Sequence, residues 1–458
     1  MRRFIQILHT NWLSWSGAIL TTLSFMAFVT TQIYLSMYGA KHGPYAGIFA
    51  YVLIPALFLA GIMVIPLGLL IYRNQFQARM ELLKDKPLRL VRLIAILTAV
   101  NLAVLGTAGH EAVQYMDTEQ FCGVVCHTVM SPTYETHKDS PHAHVACVEC
   151  HIGSGAVAFA KAKISGMRQL AAILFDTYER PIPAPMRGHF ELSESCHDCH
   201  WPERQLHDKL VVRTHYADDD AVTPATNVLM MKIGGATLGG ARSGIHWHAN
   251  PDIKITFASP DGKRNKVSWV QYIDAKGKER IFTTEDVDAK APPQGELRKM
   301  DCVDCHNQPS HNFQDPGAAV DAAIAAGSIS RSLPAIRKNA LATLRKTWSR
   351  DTATDAIKKD LEQTYAGASL AEEARAQLAP ASEAIAKIWM RNIYPEMKIT
   401  WGTYPNFLGH NGCMRCHDGE HMDQSGEAIT ADCAKCHTVV AEKVAAPPIL
   451  KDLGLQKK

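Results

Sequence analysis

Residues 11–40 carry no charged side chain, and neither do residues 43–72. Each run is longer than the roughly 20 apolar residues a bilayer-crossing helix needs. A third uncharged run, Leu93–Gly109, lies between Arg92 and the His110–Glu111 pair and is at the short limit for a span. No small-residue cleavage site follows the first run, so it reads as a retained anchor rather than a signal peptide. Residues 1–110 are therefore expected to form three transmembrane helices. Arg2 and Arg3 precede the first span, and Arg73, Arg79, Lys84, Lys86, Arg89 and Arg92 fill the loop before the third, whereas only Lys41 separates the first two. Basic loops stay in the cytoplasm, so residue 111 onward is delivered to the opposite face.

Beyond the spans the patterning weakens and changes character several times. Gly155–Tyr178 reads as an amphipathic helix, with Phe159, Met167, Leu170 and Leu174 on one side and Lys161, Lys163 and Arg168 elsewhere. Such a helix suits a membrane interface or the surface of a core. Pro181, Pro183 and Pro185 then impose an extended connector. Residues 208–290 change character, and within them KITFASPDGKRNKVSWVQYIDAKGKERIFTT alternates β-formers with Pro-Asp-Gly and Lys-Gly turn signals, predicting hairpins. Residues 316–398 are Ala-rich and helical, with Ser/Asp starts and Pro breaks. No long repeat period links these parts.

The cysteines supply the chemistry. All twelve fall into six pairs, Cys122/Cys126, Cys147/Cys150, Cys196/Cys199, Cys302/Cys305, Cys413/Cys416 and Cys433/Cys436, and each second cysteine is followed by a histidine: His127, His151, His200, His306, His417 and His437. With 21 histidines in 458 residues, six such neighbours by chance have odds of about 10⁻⁸. Zinc ribbons do not require a His directly after each pair, and disulfides do not either. Cys-x-x-Cys-His is the attachment signature of haem c: the thiols add to the porphyrin vinyl groups and the His reaches the iron. Six covalent haems are thus expected in residues 111–458, about 58 residues each, too few for a large side-chain core without the porphyrins. The expected fold is a multihaem cytochrome c, mainly α, with little regular structure around the haems. Its parts are three membrane helices (1–110), a domain for haems one to three (111–207), a β-rich insert (208–298), a fourth-haem segment (299–315), a helical insert (316–398), haems five and six (399–440) and a tail (441–458).

Each iron takes two axial ligands, and the motif His supplies one. Candidates for the second are His142 and His144 before the second motif, His189 before the third, His311 after the fourth, and His410 and His421 around the fifth. His246 and His248 in GIHWHA would share a face if that segment is extended, and at most one of them need be a ligand. The first motif differs, with three residues between its cysteines, and Met130 follows four after Cys126. A thioether on the first iron would raise its potential relative to a bis-His site. The net charge of +3, with no basic cluster interleaved with aromatics and no Gly-rich phosphate loop, argues against nucleic acid as a partner.

The block FCGVVCHTVM…SPHAHVACVECHIGSGAVAFAKAKISGMRQL at residues 121–170 resembles the NapC/NirT/NrfH family of membrane-anchored multihaem quinol dehydrogenases. CHWPE, GIHWHA, CVDCHNQPSH and PEMKITWGTYPN…GH…CMRCHDGEH are similar to a longer, three-span subgroup of inner-membrane cytochromes of the ImcH kind. The resemblance implies oxidation of membrane quinol, with electrons passed to periplasmic cytochromes or reductases in anaerobic or extracellular respiration. It implies a bacterial inner-membrane protein with its haem part in the periplasm. It also implies that Met130 ligates the first haem and that Lys163, with Lys161 next, borders the quinol pocket. The chain departs from the family in its longer first motif, which displaces Met130 by one residue and leaves His127 as the alternative ligand. The family's acidic residue after the Lys has no in-register match; Asp176 or Glu111 could substitute. Quinol oxidation releases protons as well as electrons, and His110, Glu111 or Lys163 could accept one. Two other readings stand beside this one: a terminal reductase for nitrite, hydroxylamine or a sulfur oxyanion, and a wiring subunit fed by another protein. Homo-oligomerisation is left open.

Overall fold

The computed structural model describes residues 11–38, 53–74, 87–125, 127–152, 155–184, 192–200, 208–234, 244–261, 263–292 and 295–455. Cys126 and His189 lie outside them, as does the side chain of His127. The chain forms two compact units, one of residues up to Tyr134 with Ala146–Val148, the other of Glu135–Val145 and Glu149 onward.

In the first unit, α1 (Trp12–Tyr38) and α2 (Ile54–Ile71) are the two helices among the described residues long and apolar enough to cross a membrane. They pack antiparallel through small residues. A Cβ on Gly61 would meet the Thr21 backbone nitrogen at 2.7 Å, and one on Gly68 would meet that of Ser14 at 2.7 Å. Such close approach of backbones is how helices associate where lipid removes the hydrophobic driving force. Ser14 Oγ donates to the Ile65 carbonyl at 3.0 Å across the pair. The third predicted run lies inside the 30-residue helix α3 (Pro87–Met116), whose Arg89, Arg92 and Glu111 set it apart from the other two. Next come a π-helical turn at Phe121–Val125 and α4 (His127–Lys138).

The short helix α5 (Cys147–His151) begins in the first unit and ends in the second, which continues with α6 (Ala156–Leu174) and α7 (Leu192–His197). The amphipathic pattern does produce a helix at α6. Met167 and Leu174 of the predicted apolar side are exposed, joined by Val157, Ile164 and the following Phe175. Strands β1 (Lys209–Tyr216) and β2 (Pro224–Met231) form an antiparallel hairpin. The partner on its far side comes from the end of the chain: β7 (His437–Val444) pairs with β2. The boundary drawn at 440 therefore falls inside a strand, because β2 needs a neighbour for its backbone groups. The second sheet has the order β5-β4-β3-β6, all antiparallel, from β3 (Lys254–Ser259), β4 (Trp269–Ile273), β5 (Glu279–Thr283) and β6 (Glu296–Lys299).

The helical insert holds the largest side-chain core. Asp315 caps α8 (Pro316–Ala325), accepting from Gly317 N at 2.8 Å, with Pro316 at the first helical position, a favoured start. Ala353, Ile357, Leu361 and Tyr365 recur every fourth residue on the buried face of α10 (Ala353–Tyr365). They pack with Leu344 and Ile336 of α9 (Ile336–Leu344) and with Ile385 and Trp389 of α12 (Leu378–Asn392), which follows the short α11 (Glu372–Ala376). Short helices α13 (His410–Cys413) and α14 (Pro448–Asp452) complete the chain.

Candidate haem centres

The third, fourth and fifth attachment motifs share one local geometry. His200 N donates to the Cys196 carbonyl at 2.8 Å, His306 N to Cys302 at 2.8 Å and His417 N to Cys413 at 3.0 Å. A single helical turn thus carries the first thiol, the second and the histidine on one side. In the first motif the chain from Phe121 to Val125 runs as a π-helix. At about 4.4 residues per turn a π turn absorbs one extra residue in the same rotation, which accommodates the three-residue spacing. Gly123 is buried there against Tyr134: a Cβ would sit 2.3 Å from the ring's Cγ. Gly123→Ala is expected to displace Tyr134 at a cost of about 1–3 kcal/mol and to lower the covalent haem count by one. Intact mass of the purified protein reads this directly, and an unchanged mass would contradict it.

The thiols of successive motifs neighbour one another. A hydrogen bond from Cys122 holds the Cys147 thiol down at about 7. Burial, with smaller contributions from Cys302 and Cys150, pushes the Cys196 thiol up to about 11. Burial likewise pushes Cys305, beside Cys413, up to about 11 and Cys416 up to about 12. Burial raises Cys413 too, with Cys436 adding to the shift. The proximities run from motif to motif in chain order.

Cys199 and Cys433 depart from the half-buried thiols of the other described cysteines. Both are exposed, whereas Cys196 and Cys436, their partners, are half-buried. The reason at the third motif is local. Cys199 follows the end of the six-residue α7, its backbone N donating to the Cys196 carbonyl at 3.2 Å. Cys433 opens a single 3₁₀ turn, Cys433–Lys435, capped by Asp432. A thioether to a porphyrin edge requires the sulfur's position in the turn rather than its burial, so both remain candidate attachment sites, on the solvent side of theirs.

Opposite the motif histidines stand other imidazoles. Ring centroids are 6.1 Å apart for His151 and His311, 5.8 Å for His200 and His142, and 6.4 Å for His306 and His246. They are 5.7 Å apart for His417 and His248 and 6.0 Å for His437 and His410. One iron between two coaxial imidazoles, each nitrogen at about 2 Å, would place the centroids roughly 6.3 Å apart. The tautomers agree. His142 Nδ1 lies 3.1 Å from the Pro309 carbonyl, His248 Nδ1 2.8 Å from Ile245 O, and His417 Nδ1 2.6 Å from Thr430 O. A carbonyl only accepts, so the proton sits on Nδ1 and the lone pair on Nε2, the arrangement of a metal-ligating histidine. Among the described residues no three His, Cys, Asp or Glu side chains converge as a protein-held metal ion would require. The residues fit haem c.

The expectation for GIHWHA needs correction. Ile245–Ala249 is a 3₁₀ helix, so residues two apart are rotated by about 240° and do not share a face. His246 faces the fourth motif and His248 the fifth; both stand opposite a motif histidine. The segment hangs on the end of β2, where Ile245 N donates to Lys232 O at 2.9 Å and His246 N to Ile233 O at 3.0 Å.

His421 has other partners. It is fully buried, with Nδ1 2.9 Å from Asp418 Oδ1 and Nε2 3.0 Å from the Val267 carbonyl. Both neighbours accept, so both nitrogens are engaged as donors and neither is left for iron. His144 is exposed. His110 is exposed on α3, its Nε2 3.0 Å from Gln114 Nε2, and Glu111 beside it is exposed. Lys161 is exposed and Lys163 half-buried on α6. Met130 is half-buried on α4, one turn past His127.

Sequence reasoning passed over His137, which is 5% exposed with its ring 6.0 Å from His311. Its spacing was a signal, because His137 lies seven residues after Met130 and so on the same face of α4. Arg391 of α12 was also missed. It donates to Asn312 O at 2.9 Å, beside His311, and pairs with Asp139 at 3.2 Å. The helical insert therefore fastens the loop that carries His311.

Residues 85–182 match the NapC/NirT cytochrome c family, N-terminal region. The chain is 34% identical over 455 residues to Cytochrome c-type protein ImcH of Geobacter sulfurreducens, an alignment covering 93% of this chain and 86% of the relative. No solved structure matches the chain.

Proposed function

This chain belongs to the NapC/NirT family of multihaem cytochromes c, and from that premise we propose that it is a hexahaem quinol dehydrogenase. It would pass electrons from the membrane quinol pool to periplasmic cytochromes or reductases. The observation that carries this reading is the succession of attachment sites in chain order, starting directly after α3. Bound haem c supplies reversible one-electron chemistry. The axial pairs we assign are His151 with His311, His200 with His142, His306 with His246, His417 with His248 and His437 with His410. His127 and Met130, one turn apart, stand as alternatives at the first site.

The family match begins at residue 85, so the family's region takes in α3, and we read α3 as the third span. The charge asymmetry of the loops then puts residue 111 onward in the periplasm. Val157, Ile164, Met167 and Leu174 form an exposed apolar stripe on α6 flanked by Lys161 and Arg168. That composition suits a helix lying in the bilayer interface. A quinol reaching the first site must lose two protons with its two electrons. Gln114 donates to His110 Nε2, and that imidazole and the exposed Glu111 beside it are our candidate proton acceptors. Lys163, with its exposed neighbour Lys161, is the candidate that the family resemblance supplies for the quinol pocket.

The test is reduction of the detergent-solubilised holoprotein by a quinol analogue, followed optically. Lys163→Ala is expected to slow reduction about tenfold or more, roughly 1.4 kcal/mol of barrier, with an unaltered spectrum. Met130→Leu is expected to change the spectrum of one haem and the rate together. Unchanged kinetics in both variants would remove the proposed quinol site. A wild-type protein that quinol cannot reduce would favour the wiring-subunit reading.

A further inference from the structure

The inner residues of the fourth and fifth motifs are joined to each other. Asp304 lies between Cys302 and Cys305, and Arg415 between Cys413 and Cys416. Arg415 Nη2 donates to the Asp304 carbonyl at 2.6 Å, Nη1 to the Arg264 carbonyl at 2.9 Å and Nε to the Gly412 carbonyl at 3.0 Å. Its guanidinium lies 3.9 Å over the Phe407 ring. The three donating nitrogens thus meet backbone carbonyls, and among the described residues no ion pair joins Arg415 to a carboxylate. The Asp304 carboxylate is fully buried, held by Arg298 Nε at 2.8 Å, by Asp301 N at 2.9 Å and by Arg264 at 3.4 Å. Arg264 is itself 5% exposed. Two guanidinium groups thus meet the Asp304 carboxylate and that of Asp301, which lies 3.5 Å from Arg298, and Arg415 adds a third cation between the two attachment sites.

We propose that Arg415, half-buried between them, is a positioning residue that locks the fourth and fifth sites to each other and, through its charge, raises the potential of the haems held there. A fixed cation in a low-dielectric interior favours whichever redox state carries the extra electron, and local charge is one of the protein's levers on haem potential. The lock also gives a role to Arg415 between its cysteines, where the attachment chemistry itself does not ask for an Arg. Electrons arriving from the earlier sites would meet a more oxidising pair in the middle of the row.

The proposal rests on haem at the fourth and fifth sites, which intact mass reports separately from any potential. The experiment is a spectroelectrochemical redox titration of the full-length detergent-solubilised holoprotein. Arg415→Gln keeps two donors but removes the charge, and it is expected to move one or two of the transitions to lower potential and leave the others in place. Arg415→Lys keeps the charge and should titrate close to wild type. Asp304→Asn removes the opposite charge and should shift the same transitions upward, which keeps the test open if Arg415→Gln fails to assemble. Titrations of Arg415→Gln and Asp304→Asn that superimpose on wild type, or that shift in the same direction, would overturn the assignment. Equal shifts in Arg415→Lys and Arg415→Gln would reduce it to packing. A protein lacking haem at either motif would instead refute the cofactor assignment beneath it.

Discussion

Replacing His246 and His248 together with alanine is expected to turn two of the proposed haems from low spin to high spin, and each single variant one. The reasoning starts from the 3₁₀ turn, which sends the two imidazoles in different directions, towards His306 at 6.4 Å and His417 at 5.7 Å. Each would then complete a separate site, and effects at separate sites add. Alanine leaves the iron with its motif histidine and an open or water-filled position, a weaker field. Because the attachment sites neighbour one another in chain order, both losses fall in the middle of the row. Electron flow from a quinol analogue to an acceptor at the sixth site should drop tenfold or more, at least about 1.4 kcal/mol of barrier. Electron paramagnetic resonance of the holoprotein counts high-spin irons directly. If the double variant shows only one, a single histidine of the segment is a ligand and the other is a bystander.

Much of the chemistry was legible in the chain because haem c needs a covalent signature within a few residues. A Cys pair followed by His is local, and the structure keeps it on one helical turn. The unequal burial within a pair, as at Cys196 and Cys199, was not legible, because it depends on what packs over the turn. The apolar runs were legible for the same reason as the motifs, since a bilayer imposes length and composition on contiguous residues. The distal partners were not. His311 is 160 residues from His151, and His142 is 58 residues before His200. Such pairings are set by tertiary packing, which periodicity does not encode. The shared face considered for GIHWHA required an extended segment, whereas its start is fixed as a 3₁₀ turn by hydrogen bonds to the residues just after β2. The third strand of the first sheet lies beyond the last motif, and nothing near β1 and β2 announces it. Both sheets also serve the haem sites. Lys232 N donates to Cys436 O at 2.8 Å, and Cys416 packs against the core of the second sheet. What looked like an insert is scaffolding.

The helical insert invites the same conclusion, and Trp389→Ala tests it. Trp389 is 1% exposed and sits in one core with Ile357, Leu361 and Ile385. Truncating a buried Trp costs about 3–5 kcal/mol through lost burial and the cavity left behind. Hydrogen exchange of peptides from residues 336–392 should accelerate by on the order of 10³, the equivalent of about 4 kcal/mol. Lys387→Ala on the outer face, where the side chain is 76% exposed, should change exchange hardly at all. The consequence reaches the second haem. Arg391 and Asn392 lie at the end of the same helix; Arg391 holds Asn312 O, and Asn392 Oδ1 accepts from Gln314 N at 2.9 Å. These contacts fix the loop carrying His311. A loosened α12 should therefore release His311 from its place opposite His151 and add a high-spin fraction from one haem, although no haem motif lies between residues 316 and 398. Arg391→Ala should give that spectral change with the core's exchange protection intact, while Arg391→Lys restores part of the low-spin signal. If Trp389→Ala speeds exchange but leaves every haem low-spin, the insert is a separate module and has no part in holding the second site.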